Sequence, residues 1–248
     1  MPRGLDAYSF PARVVPVLVV VLPPLVLLGG AIVAGSGRAI GVSVVLTTVL
    51  TAVAAQVGRS GKRLEPGLWQ EWGGSPTLRR LRYHGAADAG VIRRLHQRIE
   101  AVLGDPMPTA AEEQANPAAA DARYEEATRR LIGLTRDRKQ FRLLFAENVN
   151  YGMRRNLLGL RWTGMAVAAV TVIVAIVVML AGSGKFAHRT AQYGPALGVA
   201  VIELLFWALI VSRNWVRVPA EAYGDRLIEA VDLLGPAAPS DTETPRSE

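Results

Sequence analysis

Three stretches of this chain, residues 14–37, 39–58 and 162–184, contain no charged residue, and a fourth, 190–212, contains only Glu203. A helix needs about 20 apolar residues to cross a hydrocarbon core of ~30 Å, and all four stretches are that long. A helix in a soluble core is seldom apolar on every face for such a length. The expected fold is therefore an all-α integral membrane protein. Four transmembrane helices form two hairpins that flank a helical cytoplasmic domain.

The expected layout is an N-terminal hairpin over residues 1–58, with spans at about 14–36 and 39–57. A helical domain follows over 59–160. A second hairpin occupies 161–213, with spans at about 162–183 and 193–212. An amphipathic helix over 214–234 and a disordered Pro/Ser/Thr-rich tail over 235–248 complete it. Pro23 and Pro24 fall inside the first span and predict a kink or local unwinding there, because proline lacks a backbone donor. A cleaved signal peptide is the competing reading of that segment. Its apolar run exceeds a usual h-region of about 7–15 residues, and no A-x-A site follows. A hairpin turn at Gly35-Ser36-Gly37-Arg38 accounts for it better.

Charge fixes the orientation. Of 28 Lys/Arg, only Arg38, Lys185 and Arg189 lie in the two hairpin loops. Close to the span ends on the other side stand Arg59, Lys62, Arg63, Arg154, Arg155, Arg161, Arg213 and Arg217. The positive-inside rule then puts the large domain and both termini in the cytoplasm of an inner (plasma) membrane. Trp162, Trp215 and Tyr193 fall at span ends, as interfacial aromatics do.

Between the hairpins no stretch shows strand alternation. Residues 58–76 read as a loop, in which Trp69 and Trp72 either anchor at the interface or pack on the domain. A helix from Thr77 weakens at Gly85 and resumes at Asp88, with Ile92, Leu95, Ile99 and Val102 at helical spacing. Thr109 and Glu112 fit a capping box, and Asn116-Pro117 fits a second helix start. That helix sets Tyr124, Ala127 and Leu131 on one face. Phe141, Leu144, Phe145 and Val149 lead on towards the third span, with a break allowed at Gly152. In the tail, Tyr223, Leu227, Ile228 and Val231 make another stripe. Helices this short bury a core only against each other, the tail or another subunit.

Two places carry candidate chemistry. Glu203 lies mid-span, where a carboxylate is costly unless neutralised, paired or hydrated. It is either a proton-titrating or cation-coordinating group facing the bundle interior, or a protonated acid bonded across helices to Thr47, Thr48, Thr51 or Thr171. Both readings turn it towards protein. Before the third span, Glu147, Tyr151 and Arg155 align at four-residue steps, and Asn150 and Arg154 form a second such pair. With Arg161, these side chains form either a segment coupling the cytoplasmic helices to the bundle or a collar contacting anionic headgroups at ~1 kcal/mol per arginine.

Other chemistry finds no support. Cysteine is absent, and His84, His96 and His188 form no metal-ligand pair, so no metal or cofactor is expected. Gly182-Ser183-Gly184-Lys185 has Phe186 where a phosphate loop needs Ser/Thr. No catalytic constellation appears, so an enzyme is not expected. Twelve Asp/Glu dilute the arginines between Glu65 and Glu147, which argues against nucleic acid. The spacings Gly37/Gly41 and Gly194/Gly198 would permit close helix contact.

Two hairpins around a helical domain, with one intramembrane carboxylate, resemble the small transmembrane effectors of bacterial anti-phage and stress systems. The resemblance is one of architecture. It implies an oligomeric effector or channel-like protein that senses a cytoplasmic protein or small-molecule signal and permeabilises the membrane. A non-conducting scaffold that recruits a cytoplasmic partner is the alternative.

Overall fold

In the computed structural model the described residues are 10–34, 37, 41, 44, 45, 47–49, 52, 61–181 and 186–236. Most of them are helical, and there is no strand among them. Two compact units emerge, one from Met1–Leu68 with Asn148–Ala220, the other from Trp69–Glu147 with Glu221–Glu248. The chain therefore divides later than residue 58 and earlier than residue 161.

Among the described residues, the first, long-helix unit contains three helices long and apolar enough to cross a membrane, at Pro11–Val33, Arg142–Leu180 and Ala187–Ile210. The first comprises a π-helical turn, Phe10–Val14, and α1, Val15–Val33. Its helix runs on through Pro23 and Pro24, both buried, instead of unwinding there. Most of the expected span at 39–57, the turn at residues 35–38 apart from Gly37, and the tail beyond Pro236 lie outside the described residues.

Helix α2, Gly61–Trp72, with Pro66 inside it, occupies most of the segment, 58–76, that reads as a loop in the sequence. Leu68 and Trp72, one turn apart, are buried, so an apolar stripe outweighs the proline. After the short-helix unit comes α7, Arg142–Leu180, unbroken at Gly152, whose N-terminal residues belong to the short-helix unit. Then follow α8, Phe186–Leu205, a π-helical turn, Phe206–Ile210, and α9, Arg213–Ala230. The core has two layers. In one, Val20 meets Leu157, Leu160, Val167, Trp207 and Val211. In the other, Leu27 and Ala31 meet Ala175, Met179, Tyr193 and Ala196. Tyr193 is thus buried between helices, not free at an interface, whereas Trp162 is 75% exposed.

In the short-helix unit lie α3, Pro76–Leu81; α4, Ala89–Leu103; α5, Ala110–Ala115; and α6, Pro117–Leu134. Their starts follow the sequence. Ser75 caps α3 and Asp88 caps α4; Thr109 and Glu112 form the reciprocal box of α5; Asn116 caps α6 with Pro117 at its first position. Gly104 ends α4 in the left-handed region, φ 78°, which a side chain would disfavour. These helices bury Leu81, Ile99, Tyr124 and Leu131 together with Leu227, Ala230 and Val231 of the tail. The tail is the partner that the short helices needed to close a core.

Candidate functional site

The polar residues of α7 begin where its apolar stripe stops. Tyr151 and Arg155, one turn apart, turn to Glu65 on α2. The Tyr151 hydroxyl donates to Glu65 Oε1 at 3.2 Å, and Arg155 pairs with the same oxygen. The Arg155 side chain is 6% exposed and its guanidinium carbon lies 5.2 Å from the Tyr151 ring centre. The sequence offered Glu147 as the carboxylate of this face. It is half-buried and belongs to the short-helix unit, and Glu65 takes its place.

Glycine makes this junction possible. A Cβ on Gly61 would overlap the Asn156 side chain, and a Cβ on Gly159 would stand 3.5 Å from the Gly61 backbone. Asn156 is buried and donates its amide to the Ala12 carbonyl at 2.6 Å. By contrast, nothing lies within 4 Å of a Cβ on Gly37, Gly41 or Gly198, and a Cβ on Gly194 would meet only Thr190 of its own helix. Those spacings mark no contact among the described residues.

Arg154, on a different face, does not turn to Asn150, which is half-buried. Its guanidinium donates to the Trp215 carbonyl at 3.0 Å and lies 4.7 Å from that ring's centre. Arg161 reaches the end of the fourth expected span. It donates to the carbonyls of Trp207 and Ala208, each at 3.1 Å. These carbonyls stand in the π-helical turn where the helix ends at Val211, so they lack intrahelical donors, and a cation there also suits the helix dipole.

Glu203 sits one turn before Trp207 and is 6% exposed. Its Oε1 accepts from the Trp207 indole N–H at 3.1 Å, while Oε2 is buried with no hydrogen-bond partner among the described residues. That bond runs along its own helix, and no bond from Glu203 to Thr48 or Thr171 is present. Thr171 and Thr48 donate to carbonyls one turn back in their own helices, and Thr51 lies outside the described residues. Trp207 is fully buried, and a Cβ on Gly164 of α7 would overlap its indole. Gly164, Trp207 and Glu203 therefore form one contact. Trp207 could have been read from its four-residue offset to Glu203; nothing in the sequence points to Gly164 or Glu65.

In the short-helix unit, Glu113 is equally buried but fully served. It accepts from the N–H groups of Tyr83 and His84 and from the Tyr124 hydroxyl, each at 2.8 Å. Burial acts to raise this carboxyl, yet the three donors together hold it below the usual carboxylate range. The Tyr124 phenol is pushed up by burial and by that carboxylate. Next to Tyr124 the His96 ring is pushed down by burial, and its Nε2 lies 2.8 Å from the Leu81 carbonyl oxygen. No group of three or more His, Asp or Glu able to hold a metal occurs among the described residues. No family model, curated protein or solved structure matches the chain.

Proposed function

We propose that this chain is a multi-pass inner-membrane protein, an oligomeric effector or channel-like protein whose bundle is gated by its helical cytoplasmic domain. One observation carries the reading. Glu203 places a carboxyl oxygen without a partner among the described residues inside a helical stretch, 193–210, that holds no other charged residue. Such a group is costly in hydrocarbon, and intramembrane carboxylates of this kind serve protons or cations. Residues 39–57 supply the fourth span in this reading, and the excess of arginine near the span ends supports cytoplasmic termini.

Gating finds support in α7, one helix that puts Leu144 into the core of the short-helix unit and Leu157 and Leu160 into that of the long-helix unit. Tyr151, Arg155 and Glu65 tie that helix to α2, and Arg161 ties it to the π-helical turn beyond Glu203. The architecture supports a role in bacterial defence or stress, and no constellation argues for an enzyme.

Reconstitution into liposomes tests the reading. Ion or proton leak through the wild type, reduced at least about tenfold in Glu203→Gln, supports it; an intact bilayer under every stimulus removes the channel. The scaffold reading draws on an open cavity of about 610 Å³ in the short-helix unit, lined by Arg82, Tyr83, His84, Glu113, Gln114 and Asp121. A stoichiometric soluble partner without conductance would favour it.

A further inference from the structure

Leu227, Ala230 and Val231 are buried in the core of the short-helix unit, which fixes where the chain leaves that unit. Leu233, two residues further on, lines a cavity of about 210 Å³. Buried Phe141, Leu144 and Ala230 give this cavity an apolar lining. Leu143 and Leu233 belong to the same wall but stay 64% and 62% exposed. Lys139 and Arg142 add two cations beside them.

Those cations are not neutralised. Elsewhere in the unit Arg79, Arg82, Arg98 and Arg130 each meet a carboxylate. Arg226, in the cavity wall, pairs with Glu229. Lys139 and Arg142 are exposed and make no ion pair among the described residues. The one carboxylate of the 136–142 run, Asp137, accepts the backbone N–H groups of Lys139 at 2.8 Å and Gln140 at 3.4 Å instead. Exposed leucines next to unpaired cations suit a peptide in which small apolar residues precede carboxylates.

The chain itself carries such a peptide. After Pro236 its sequence runs Ala237-Ala238-Pro239-Ser240-Asp241-Thr242-Glu243. Extended chain covers ~3.3 Å per residue, so about 26 Å of it separates Asp241 from Leu233, ample to turn back across a cavity that Leu233 lines. A tethered segment needs little intrinsic affinity, because a short linker holds it at an effective concentration in the mM range.

We propose that residues 237–243 dock in this cavity of their own chain. The two alanines and Pro239 cover Leu143 and Leu233, and Asp241 and Glu243 meet Lys139 and Arg142. The tail then withholds these cations from lipid headgroups and from acidic partners. The inference concerns one face of the short-helix unit and stands whether or not the bundle conducts.

The chain has no cysteine, so an engineered pair reports on one contact. Gln140→Cys, in the cavity wall, combined with Ser240→Cys should form a disulfide within one chain when the full-length protein in detergent is mildly oxidised. Adding Asp241→Asn and Glu243→Gln should slow that reaction at least about threefold, the effect expected of two exposed ion pairs. Removing carboxylates beside a cysteine favours its thiolate, so slowing reports lost docking and not lost reactivity. Failure to form the disulfide, or a rate indifferent to the two neutral residues, would overturn the proposal. A Gln140→Cys chain that links to a separate Ser240→Cys chain in preference would assign the cavity to a second copy and overturn it too. Loss of the disulfide in phosphatidylglycerol vesicles, but not in phosphatidylcholine vesicles, would overturn it in favour of the bilayer.

Discussion

Glu113 and Glu203 are each 6% exposed, and they are opposites in every other respect. Glu113 takes three donors, two of them backbone N–H groups of the turn after α3, so its carboxylate fastens Tyr83, His84 and Tyr124 to one point. Glu203 takes one indole N–H and leaves Oε2 without a partner among the described residues. A buried carboxylate that is fully served holds a fold together. One that is half-served weakens the fold and is explained by what it does there. The contrast predicts that the two glutamates respond oppositely to substitution.

The largest effect should come from Glu113→Ala. It strands the buried Tyr124 hydroxyl and two part-buried N–H groups, each costing up to about 1–3 kcal/mol, and the adjoining cavity admits water to the latter, so a total loss of about 3 kcal/mol is expected from thermal unfolding in detergent. Acid should act through the same residue. A carboxyl held below its ordinary value contributes stability that is complete above about pH 4.3 and is lost as pH falls through the lower folded value. His96, also pushed down, contributes stability complete above about pH 6.5 and lost on further acidification. Glu113→Gln should flatten the lower step of the stability profile and leave the upper one. An unchanged profile would end the comparison.

Arg155→Met ranks next. It leaves Glu65 half-enclosed without its cation, and breaking a buried pair costs about 3–5 kcal/mol. Because Glu65 keeps 20% exposure and the Tyr151 bond, about 2–3 kcal/mol is expected. Replacing Glu147 should cost far less, as it does not enter that pair. Equal effects at Glu147 and Glu65 would reverse the assignment of the carboxylate.

Gly164→Ala should cost about 2 kcal/mol by overpacking, because a Cβ there overlaps a fully buried indole. Gly198→Ala should be neutral or slightly stabilising, since nothing surrounds it and alanine favours helix. If Gly198 proves the more sensitive of the two, a surface beyond this single chain covers it.

What could be read from the sequence was local. The reciprocal pair Thr109/Glu112, the Asn116-Pro117 start and the stop at Gly104 each satisfy backbone groups within one turn, so residue order suffices. The long apolar runs were equally plain. What escaped depends on a second element. Residues 61–72 looked like a loop because two glycines and Pro66 lower helix propensity, and only the burial of Leu68 and Trp72 reverses that preference. Tyr151 and Arg155 were found, but their carboxylate lies some 90 positions earlier, at Glu65, where no spacing rule reaches. The contact glycines failed for the same reason. Gly194/Gly198 has the familiar spacing and open surroundings, whereas Gly61 and Gly164 have no pattern and no room.

The smallest structural effect should belong to the residue expected to matter most for function. Glu203→Gln keeps an oxygen for the Trp207 indole and offers an amide where Oε2 had no partner, so stability should change by less than about 1 kcal/mol. Trp207→Phe removes the donor but fills most of the same space against Gly164, and should separate the bond from the packing. If Glu203 serves ions or protons, the glutamine variant should melt normally and leak at least about tenfold less, while the phenylalanine variant should leak with an altered pH dependence. A glutamine variant that instead unfolds would put Glu203 in the same class as Glu113. Its carboxylate would then be a structural bond, and the argument for conduction would lose its only chemical support.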